Sequence, residues 1–187
     1  MKHTHEKQSY TYIIAIVIGI LLVGGAVYAS RNEGNNEPRE NEPDTTIIQK
    51  EQSDKQLAPN FTLNRLGGGI IELASYKGQK PVVLDFFATW CPNCRRDMPH
   101  LNNLYEKYKD QVEVIGIDLQ EQESLVSTFA TDLGITFPLA LDTQGKVSQQ
   151  YGVHYTNFHV LIDKEGNVVG SVPGDITEAD IINLIGQ

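Results

Sequence analysis

The chain has 187 residues, and 40% of them are hydrophobic, which is enough for one folded domain with additional segments. Its net charge is −9, and from residue 56 onward acidic side chains outnumber basic ones by 16 to 9. Because nucleic-acid binding depends on clustered Lys and Arg, this balance excludes a nucleic-acid-binding function. Two cysteines are too few for a disulfide scaffold, so we expect the pair to be present for its chemistry.

The first element in the chain is an uncharged apolar run at residues 13–29, IIAIVIGILLVGGAVYA. As a helix, these 17 residues would extend about 25 Å, enough to cross a hydrocarbon core. The run predicts either a transmembrane anchor or a signal sequence, since Val27-Tyr28-Ala29 loosely matches a cleavage site. The short segment before it, residues 1–12, is predicted to be a cytoplasmic tail, which places the rest of the chain on the extracytoplasmic side.

Residues 30–56 are rich in Glu, Asn and Pro and contain almost no large apolar side chains. A segment of this composition cannot bury enough surface to fold, so it predicts a disordered polar linker. We therefore place the folded domain at residues 57–187.

The domain begins with two short extended segments around Gly67, Gly68 and Gly69, which predict a β-hairpin. Beyond the hairpin, apolar runs typical of buried strands alternate with segments of helical periodicity. The predicted strands are PVVLDFFA (81–88), VEVIGIDL (112–119), residues 136–141, FHVLID (158–163) and NVVGSV (167–172). The predicted helices follow the cysteines directly and then cover residues 123–134, 146–151 and 177–185. This order predicts an α/β fold with a central mixed β-sheet flanked by helices on both faces.

Both cysteines lie in the segment FFATWCPNCRRDMP, residues 86–99, where a buried strand is followed by a helix. The unpaired N–H groups and the positive end of the helix dipole would stabilise a thiolate on Cys91. Cys94, one turn further along, is close enough to form a disulfide with Cys91, and we expect it to be more buried. Cys91 is therefore the predicted nucleophile and Cys94 the predicted resolving thiol. Pro92 suits the first helical position, where its missing N–H is not needed.

The segment VVLDFFATWCPNCRRDMP resembles the active-site segment of the thioredoxin superfamily. Residues 57–187 as a whole are similar to its membrane-anchored TlpA/ResA-like branch, through APNFTL, Trp-Cys-x-x-Cys, FPLALD, YGV and LIDKEGNVVG in that order. The resemblance implies a thioredoxin fold with an N-terminal β-hairpin extension and a transmembrane helix. It also implies a thiol-disulfide oxidoreductase on the extracytoplasmic side that serves cytochrome c maturation or related thiol reduction.

The resemblance further implies the substrates and the redox partner of the protein. Its substrates would be protein thiols or disulfides, and its redox partner a membrane electron donor or acceptor. We expect a monomer without a cofactor. The two residues between the cysteines, Pro92 and Asn93, match neither thioredoxin nor the usual ResA-like pair, so the direction of electron flow is open, and the resemblance alone favours a reductant.

Three further positions match the superfamily pattern. Trp90 resembles the tryptophan that precedes the first cysteine, where it shields the sulfurs and lines the substrate surface. Asp85 matches thioredoxin's buried aspartate, and burial would raise its pKa and let it accept the Cys94 proton. Asp97 falls where ResA-like proteins carry an acidic residue that tunes the cysteines. The alternatives are core packing for the tryptophan and solvated carboxylates for the two aspartates.

The chain departs from the superfamily in the loop that normally carries a cis-proline beside the cysteines. Aligning YGV and LID without gaps places Asn157 at that position, and no proline lies between Pro138 and Pro173. Because a cis bond before a residue other than proline costs about 2.5 to 4 kcal/mol, we predict a trans peptide and a locally altered loop. Thr156 would be the residue that offers its backbone to a substrate strand, with Asn157 beside it.

Two other functions are compatible with these residues. Cys91, Cys94, His154 and His159 could form a Cys2His2 metal site, because the missing proline is what usually excludes metals from this loop in the superfamily. A peroxide-reducing enzyme of the peroxiredoxin type shares the APNF opening. It is disfavoured because its nucleophile follows a Pro-x-x-x-Thr-x-x-Cys pattern, which Thr89 does not fit.

Overall fold

Strands and helices alternate along the described part of the chain, which in this computed structural model comprises residues 56–187. The predictions for residues 1–12, for residues 13–29 and for the linker up to residue 55 lie outside the described residues. Within residues 56–187, no helix combines the length and the apolar character needed to cross a membrane.

The secondary structure follows the predicted order. The strands are β1 (Gln56–Leu57), β2 (Thr62–Arg65), β3 (Ile70–Glu72), β4 (Val82–Phe87), β5 (Glu113–Leu119), β6 (Leu139–Asp142), β7 (Phe158–Ile162) and β8 (Asn167–Pro173). The helices are α1 (Pro92–Tyr108), α2 (Glu123–Leu133), α3 (Lys146–Gln150) and α4 (Glu178–Ile185), and Leu73–Tyr76 form a 3₁₀ helix.

Several boundaries differ from the prediction by one residue, and two further differences have a physical cause. β6 begins three residues later than expected, at Leu139, because Pro138 has no N–H to donate to a neighbouring strand. Gln56, which was assigned to the linker, pairs with Val168 as part of β1. This pairing uses only backbone groups, so the polar composition of the segment could not reveal it.

The strands of residues 56–187 form one mixed sheet in the order β1-β8-β7-β4-β5-β6-β2-β3. β4, β5 and β6 are parallel, and the other neighbouring pairs are antiparallel. The predicted hairpin, β2 with β3, extends the sheet beyond β6. Helices α1, α2 and α4 pack on one face, and α3 packs with the 3₁₀ helix on the other. The predicted mixed sheet with helices on both faces is therefore confirmed.

β4 separates the two apolar clusters through the alternation of its side chains. Leu84 and Phe86 pack into the cluster beneath α3, whereas Val83 and Phe87 pack into the cluster beneath α1, which also contains both cysteines. Because successive side chains of a strand point to opposite faces, Asp85 lies on the α1 side with Val83 and Phe87. The strand is buried along its whole length, so this carboxyl group is placed inside the core.

The loop before β7 contains a left-handed residue at the position where the superfamily carries its proline. Asn157 has a φ of 57°, and the peptide bond that precedes it is trans, as predicted. Its N–H donates to the Phe86 carbonyl at 2.9 Å, and its carbonyl accepts from the Gly174 N–H at 2.8 Å. Asparagine is one of the few residues besides glycine that adopts this region. The loop is thus held by hydrogen bonds to β4 and to the residue after β8.

Replacing Asn157 by proline should destabilise the protein. Proline fixes φ near −65° and has no N–H, so the variant cannot keep the φ of 57° or the bond to Phe86. We expect the free energy of unfolding, measured by urea denaturation, to fall by about 3 kcal/mol. Asn157→Gly keeps both backbone bonds and should cost no more than about 1 kcal/mol. A proline variant as stable as the wild type would show that the loop readily adopts another conformation.

Candidate active site

The two cysteines lie where β4 is followed by α1. They are joined by a disulfide, with their Cα atoms 5.3 Å apart. Cys91 is the N-cap of α1, and its Sγ accepts the backbone N–H of Cys94 at 3.1 Å. Pro92 is the exposed first residue of the helix. Once the disulfide opens, this N–H and the helix dipole can stabilise a thiolate on Cys91. Cys94 is the more buried of the two, with 0% of its surface exposed against 3% for Cys91.

The turn that leads into Cys91 is held by side chains from two other places in the chain. The Glu121 carboxylate accepts the N–H of Thr89 at 2.5 Å and its hydroxyl at 2.6 Å. The Arg95 guanidinium donates from Nε to the Thr89 carbonyl at 3.0 Å, and it lies 5.0 Å from the centre of the Phe129 ring. Sequence reasoning missed Glu121, because no spacing or motif connects the residue after β5 with the turn before the cysteines.

Both predicted acidic residues are buried against α1. Asp85 is 1% exposed and Asp97 3% exposed, so the alternative of solvated carboxylates is wrong. Desolvation raises the pKa of Asp85 to about 7. Desolvation is also the main reason why the pKa of Asp97 rises to about 6. Each group can therefore change its protonation state close to neutral pH, where an ordinary carboxyl group is fully ionised.

His159 lies between the two aspartates and is completely buried. It is the register partner of Asp85 across the antiparallel pair of β4 and β7. Its Nε2 atom is 3.4 Å from an oxygen of Asp85 and 3.4 Å from an oxygen of Asp97. Burial lowers the pKa of the imidazole. The sequence analysis placed His159 in the predicted strand FHVLID and considered it only as a metal ligand; pairing this strand in register with PVVLDFFA would have brought it opposite Asp85.

The arrangement required by the alternative of a Cys2His2 metal site is not formed. His154 is exposed, whereas His159 is enclosed in the core beside the aspartates. Within residues 56–187, no group of three or more Cys, His, Asp and Glu side chains is arranged to hold a metal ion. The alternative of metal binding by Cys91, Cys94 and these two histidines is therefore wrong.

The predicted substrate-contacting residues surround the cysteines unequally. Trp90 is 69% exposed, so the alternative of core packing is wrong. Thr156 is half-buried, and its backbone N–H and carbonyl form no hydrogen bond within residues 56–187. Asn157 is only 3% exposed, and both of its backbone groups are already bonded inside the protein. The backbone of Thr156, like those of the neighbouring His154 and Tyr155, is therefore available to a partner strand.

A charged bridge connects this loop with α1. The Arg96 guanidinium donates to both carboxylate oxygens of Asp175, with the shortest distance 2.6 Å from Nη2 to Oδ1. The Asn157 side-chain amide donates to the same Oδ1 at 3.0 Å. The hydrogen bond from Arg96 lowers the pKa of Asp175. These residues are far apart in the sequence and match no motif, so sequence reasoning missed Arg96 and Asp175.

Comparisons with known proteins agree with this geometry. The sequence profile of the AhpC/TSA family matches residues 55–171. The thiol-disulfide oxidoreductase ResA of Bacillus anthracis is 38% identical over 166 residues, which cover 88% of this chain and 90% of that protein. The ResA of Bacillus subtilis strain 168 is 39% identical over 132 residues, covering 68% of this chain and 73% of that protein.

A solved structure gives the same answer for the fold. The thiol:disulfide interchange protein of the thioredoxin family from Chlorobium tepidum superposes with a TM-score of 0.64 at 27% identity, covering 71% of this chain and 94% of that chain. This chain therefore belongs to the AhpC/TSA family, has the predicted thioredoxin-like fold, and is a thiol-disulfide oxidoreductase similar to the ResA proteins.

Proposed function

We propose that this enzyme reduces disulfides of protein substrates on the extracytoplasmic side of the membrane, to which residues 13–29 anchor it. The observation that carries the proposal is the position of the cysteine pair. Cys91 caps a helix N-terminus beside an exposed tryptophan, and Cys94 lies one turn further along the same helix, completely buried. This arrangement gives the two thiols different reactivities, which an ordered two-step exchange requires.

In the first step, the Cys91 thiolate attacks one sulfur of the substrate disulfide. A mixed disulfide forms, and the other substrate sulfur leaves as a thiolate with the electron pair of the broken bond. In the second step, Cys94 loses its proton and attacks the sulfur of Cys91. The second substrate sulfur leaves, and the Cys91–Cys94 disulfide forms. The enzyme is then oxidised by two electrons, and a membrane electron donor has to reduce it before the next cycle.

Asp85 and Asp97 are the proposed proton acceptors for Cys94. Cys94 is completely buried, so its proton has no direct path to solvent. Asp97 lies one helical turn beyond Cys94 on α1, and Asp85 enters the same apolar cluster from β4. A carboxyl group with a pKa near neutrality suits this proton transfer, because it accepts the proton of Cys94 in one step and releases it in the next.

Trp90, Pro92, Thr156 and Asn157 are the proposed substrate-binding residues. Trp90 and Pro92 offer exposed surface on the cysteine side, and the unbonded backbone groups of Thr156 allow an extended substrate segment to pair with the loop. Asn157 supports the loop from inside through its bonds to Phe86 and Gly174. Substrate recognition through backbone pairing tolerates many sequences, as a reductant with several protein substrates needs.

Location and substrate class are supported by sequence. The apolar run at residues 13–29 has the length of a membrane span, and residues 30–55 have the composition of a tether. The resemblance to the TlpA/ResA-like branch favours reduction of cysteines in apocytochromes c before haem attachment. The proposed redox partner is accordingly a membrane protein that delivers electrons to the Cys91–Cys94 disulfide.

Exchanging each cysteine for serine separates their roles. Cys91→Ser should abolish the reduction of insulin by the enzyme, because no nucleophile remains at the helix N-terminus. Cys94→Ser should instead accumulate a mixed disulfide with the substrate, visible on a non-reducing gel, because the resolving thiol is missing. Full insulin reduction by the Cys91→Ser variant would contradict the assignment of the nucleophile.

The equilibrium of the Cys91–Cys94 disulfide with glutathione tests the direction of electron flow. A reductant should have a potential closer to that of thioredoxin, about −270 mV, than to that of the oxidant DsbA, about −120 mV. The reduced fraction is measured by alkylation and mass spectrometry across a series of glutathione buffers. A potential in the range of the oxidant would show that the enzyme forms disulfides rather than reducing them.

Protease treatment of intact cells tests the location. With the cell wall removed, a protease added outside should degrade residues 57–187, because the anchor at residues 13–29 holds them on the outer face. A cytoplasmic protein probed in the same samples controls for lysis. Protection of the domain in intact cells, together with its digestion after lysis, would overturn the proposed topology.

A further inference from the structure

Three titratable side chains meet in the core where β4, α1 and β7 pack together. Asp85 from β4, Asp97 from α1 and His159 from β7 are 1%, 3% and 0% exposed. The Nε2 atom of His159 is 3.4 Å from Asp85 Oδ1 and 3.4 Å from Asp97 Oδ2. We call these three residues the Asp-His-Asp cluster. The reduction cycle described above uses the two carboxyl groups and leaves the histidine without a role.

Hydrogen-bond geometry determines where the protons of the cluster can lie. The other ring nitrogen of His159, Nδ1, is 3.4 Å from the carbonyl oxygen of Val172, which can only accept. Nδ1 therefore carries a proton, and Nε2 faces two carboxylate oxygens. Without a further proton, all three of these atoms would present lone pairs to one another. At least one proton is thus shared among Nε2, Asp85 Oδ1 and Asp97 Oδ2.

The cluster has little other hydrogen bonding to rely on. Within residues 56–187, the two carboxylate oxygens of Asp85 and the Nε2 atom of His159 have no hydrogen-bond partner of good geometry. Asp97 Oδ2 accepts one backbone N–H, that of Ile176, at 3.4 Å. Buried polar groups without partners are costly, so the contacts within the cluster stabilise these groups in addition to the backbone contacts of His159 with Val172 and Gly174. The titrations of Asp97 and His159 are therefore linked, and the Asp85 carboxylate acts on Asp97.

The surroundings of the cluster are acidic. The Asp175 carboxylate, after β8, and the Asp180 carboxylate, on α4, both act on the cluster. Arg96 on α1 is the nearby cation, and it is engaged in its bidentate contact with Asp175. His159 is therefore the positively ionisable group in direct contact with Asp85 and Asp97.

We propose that His159 is a positioning residue for proton transfer, which holds the resident proton of the cluster between the two carboxylates and so keeps a carboxylate oxygen free to accept the proton of Cys94. The inference rests on the roles proposed above for Cys91 and Cys94. The Cys94 S–H bond breaks, its proton goes to a carboxylate oxygen of the cluster, and its electron pair attacks the sulfur of Cys91. The bond between Cys91 and the substrate sulfur breaks, and that sulfur leaves as a thiolate.

A positive charge on His159 is needed because Asp85 and Asp97 carry like charges. Two buried carboxylates that contact the same ring nitrogen cannot both stay ionised without a neighbouring positive charge. One proton would stay bound between them and would occupy the oxygen that should accept the proton of Cys94. Burial lowers the pKa of His159, but the Asp97 carboxylate acts in the opposite direction. When the shared proton lies on the ring, His159 lowers the pKa of Asp97 and offsets this repulsion. Without the histidine, the carboxyl groups should therefore hold their protons to higher pH.

The test isolates the step made by Cys94. Reduced full-length protein in mild detergent is mixed with the aromatic disulfide 5,5′-dithiobis(2-nitrobenzoate). The thiolate of Cys91 releases one nitrothiobenzoate, and the attack of Cys94 on the resulting mixed disulfide releases a second. Stopped-flow absorbance measures the second release from pH 5 to 9 for the wild type, His159→Gln, His159→Gln combined with Asp97→Asn, and His100→Gln. His100 is an exposed histidine of α1 and serves as the matched control.

In the wild type the second release should slow as pH falls through the range from about 7 to about 6, in which Asp85 and Asp97 take up protons. In His159→Gln the midpoint should move up by about one pH unit, the lower end of the effect of an opposite charge in direct contact. The rate at pH 6.5 should then fall about fivefold, whereas the rate at pH 9 stays within about twofold. The double variant should move the midpoint back, because it also removes the repelling carboxylate.

An unchanged midpoint in His159→Gln, or one that moves to lower pH, would overturn the inference, even if the rate fell equally at every pH. A midpoint that moves as much in His100→Gln would overturn it as well. Failure of the first release, or its persistence in Cys91→Ser, would instead refute the proposed function. If His159→Gln does not fold, the nitrogen chemical shifts of His159 in the wild type decide: Nδ1 protonated across the titration supports the inference, and a neutral ring protonated only on Nε2 overturns it.

Discussion

The antiparallel pairing of β4 with β7 is the constraint on which the rest of the site depends. This one register places His159 opposite Asp85 and brings the N–H of Asn157 to the carbonyl of Phe86. The carboxyl end of β4 and the start of β7 therefore lie side by side, next to the cysteines. A slip by one residue would move His159 to the other face of the sheet and leave Asp85 without its partner. Burial of both strands makes such a slip costly, because every apolar side chain would change sides.

Much of this arrangement follows from patterns in the sequence. The apolar runs at β4 and β5, the periodicity of α1 and the order of the elements predicted a mixed sheet with helices on both faces. The cysteines could be assigned because a strand followed by a helix start is visible in the sequence, and the chemistry of a helix N-terminus is general. The burial of Asp85 was predictable for the same reason, since it interrupts an apolar strand.

The unpredicted contacts share a physical cause. His159 joins the aspartates only through the strand register, and Asp175 joins Arg96 only because the turn after β8 comes back across the end of α1. Such contacts are set by how the sheet is assembled, and no local propensity or spacing encodes them. The alternative of a metal site fails for a related reason: His154 lies in the exposed loop, whereas His159 lies in β7 and is enclosed in the core.

Asn157 lies where the superfamily carries a proline, and it restrains the loop beside the cysteines in a different way. A proline restrains a loop through its own ring, whereas Asn157 does so through three hydrogen bonds, from its N–H, its carbonyl and its side-chain amide. The last of these ends on Asp175, which also binds Arg96 on the active-site helix. The loop before β7 and helix α1 are therefore linked to each other through Asp175.

The exposed ring beside Cys91 has one more consequence. Trp90 is the only tryptophan of the chain, and it is 69% open to water immediately before the nucleophilic sulfur. All tryptophan fluorescence of the chain therefore comes from one ring, which lies one residue before Cys91. Its emission reports on the surroundings of the active site and on no other place in the chain.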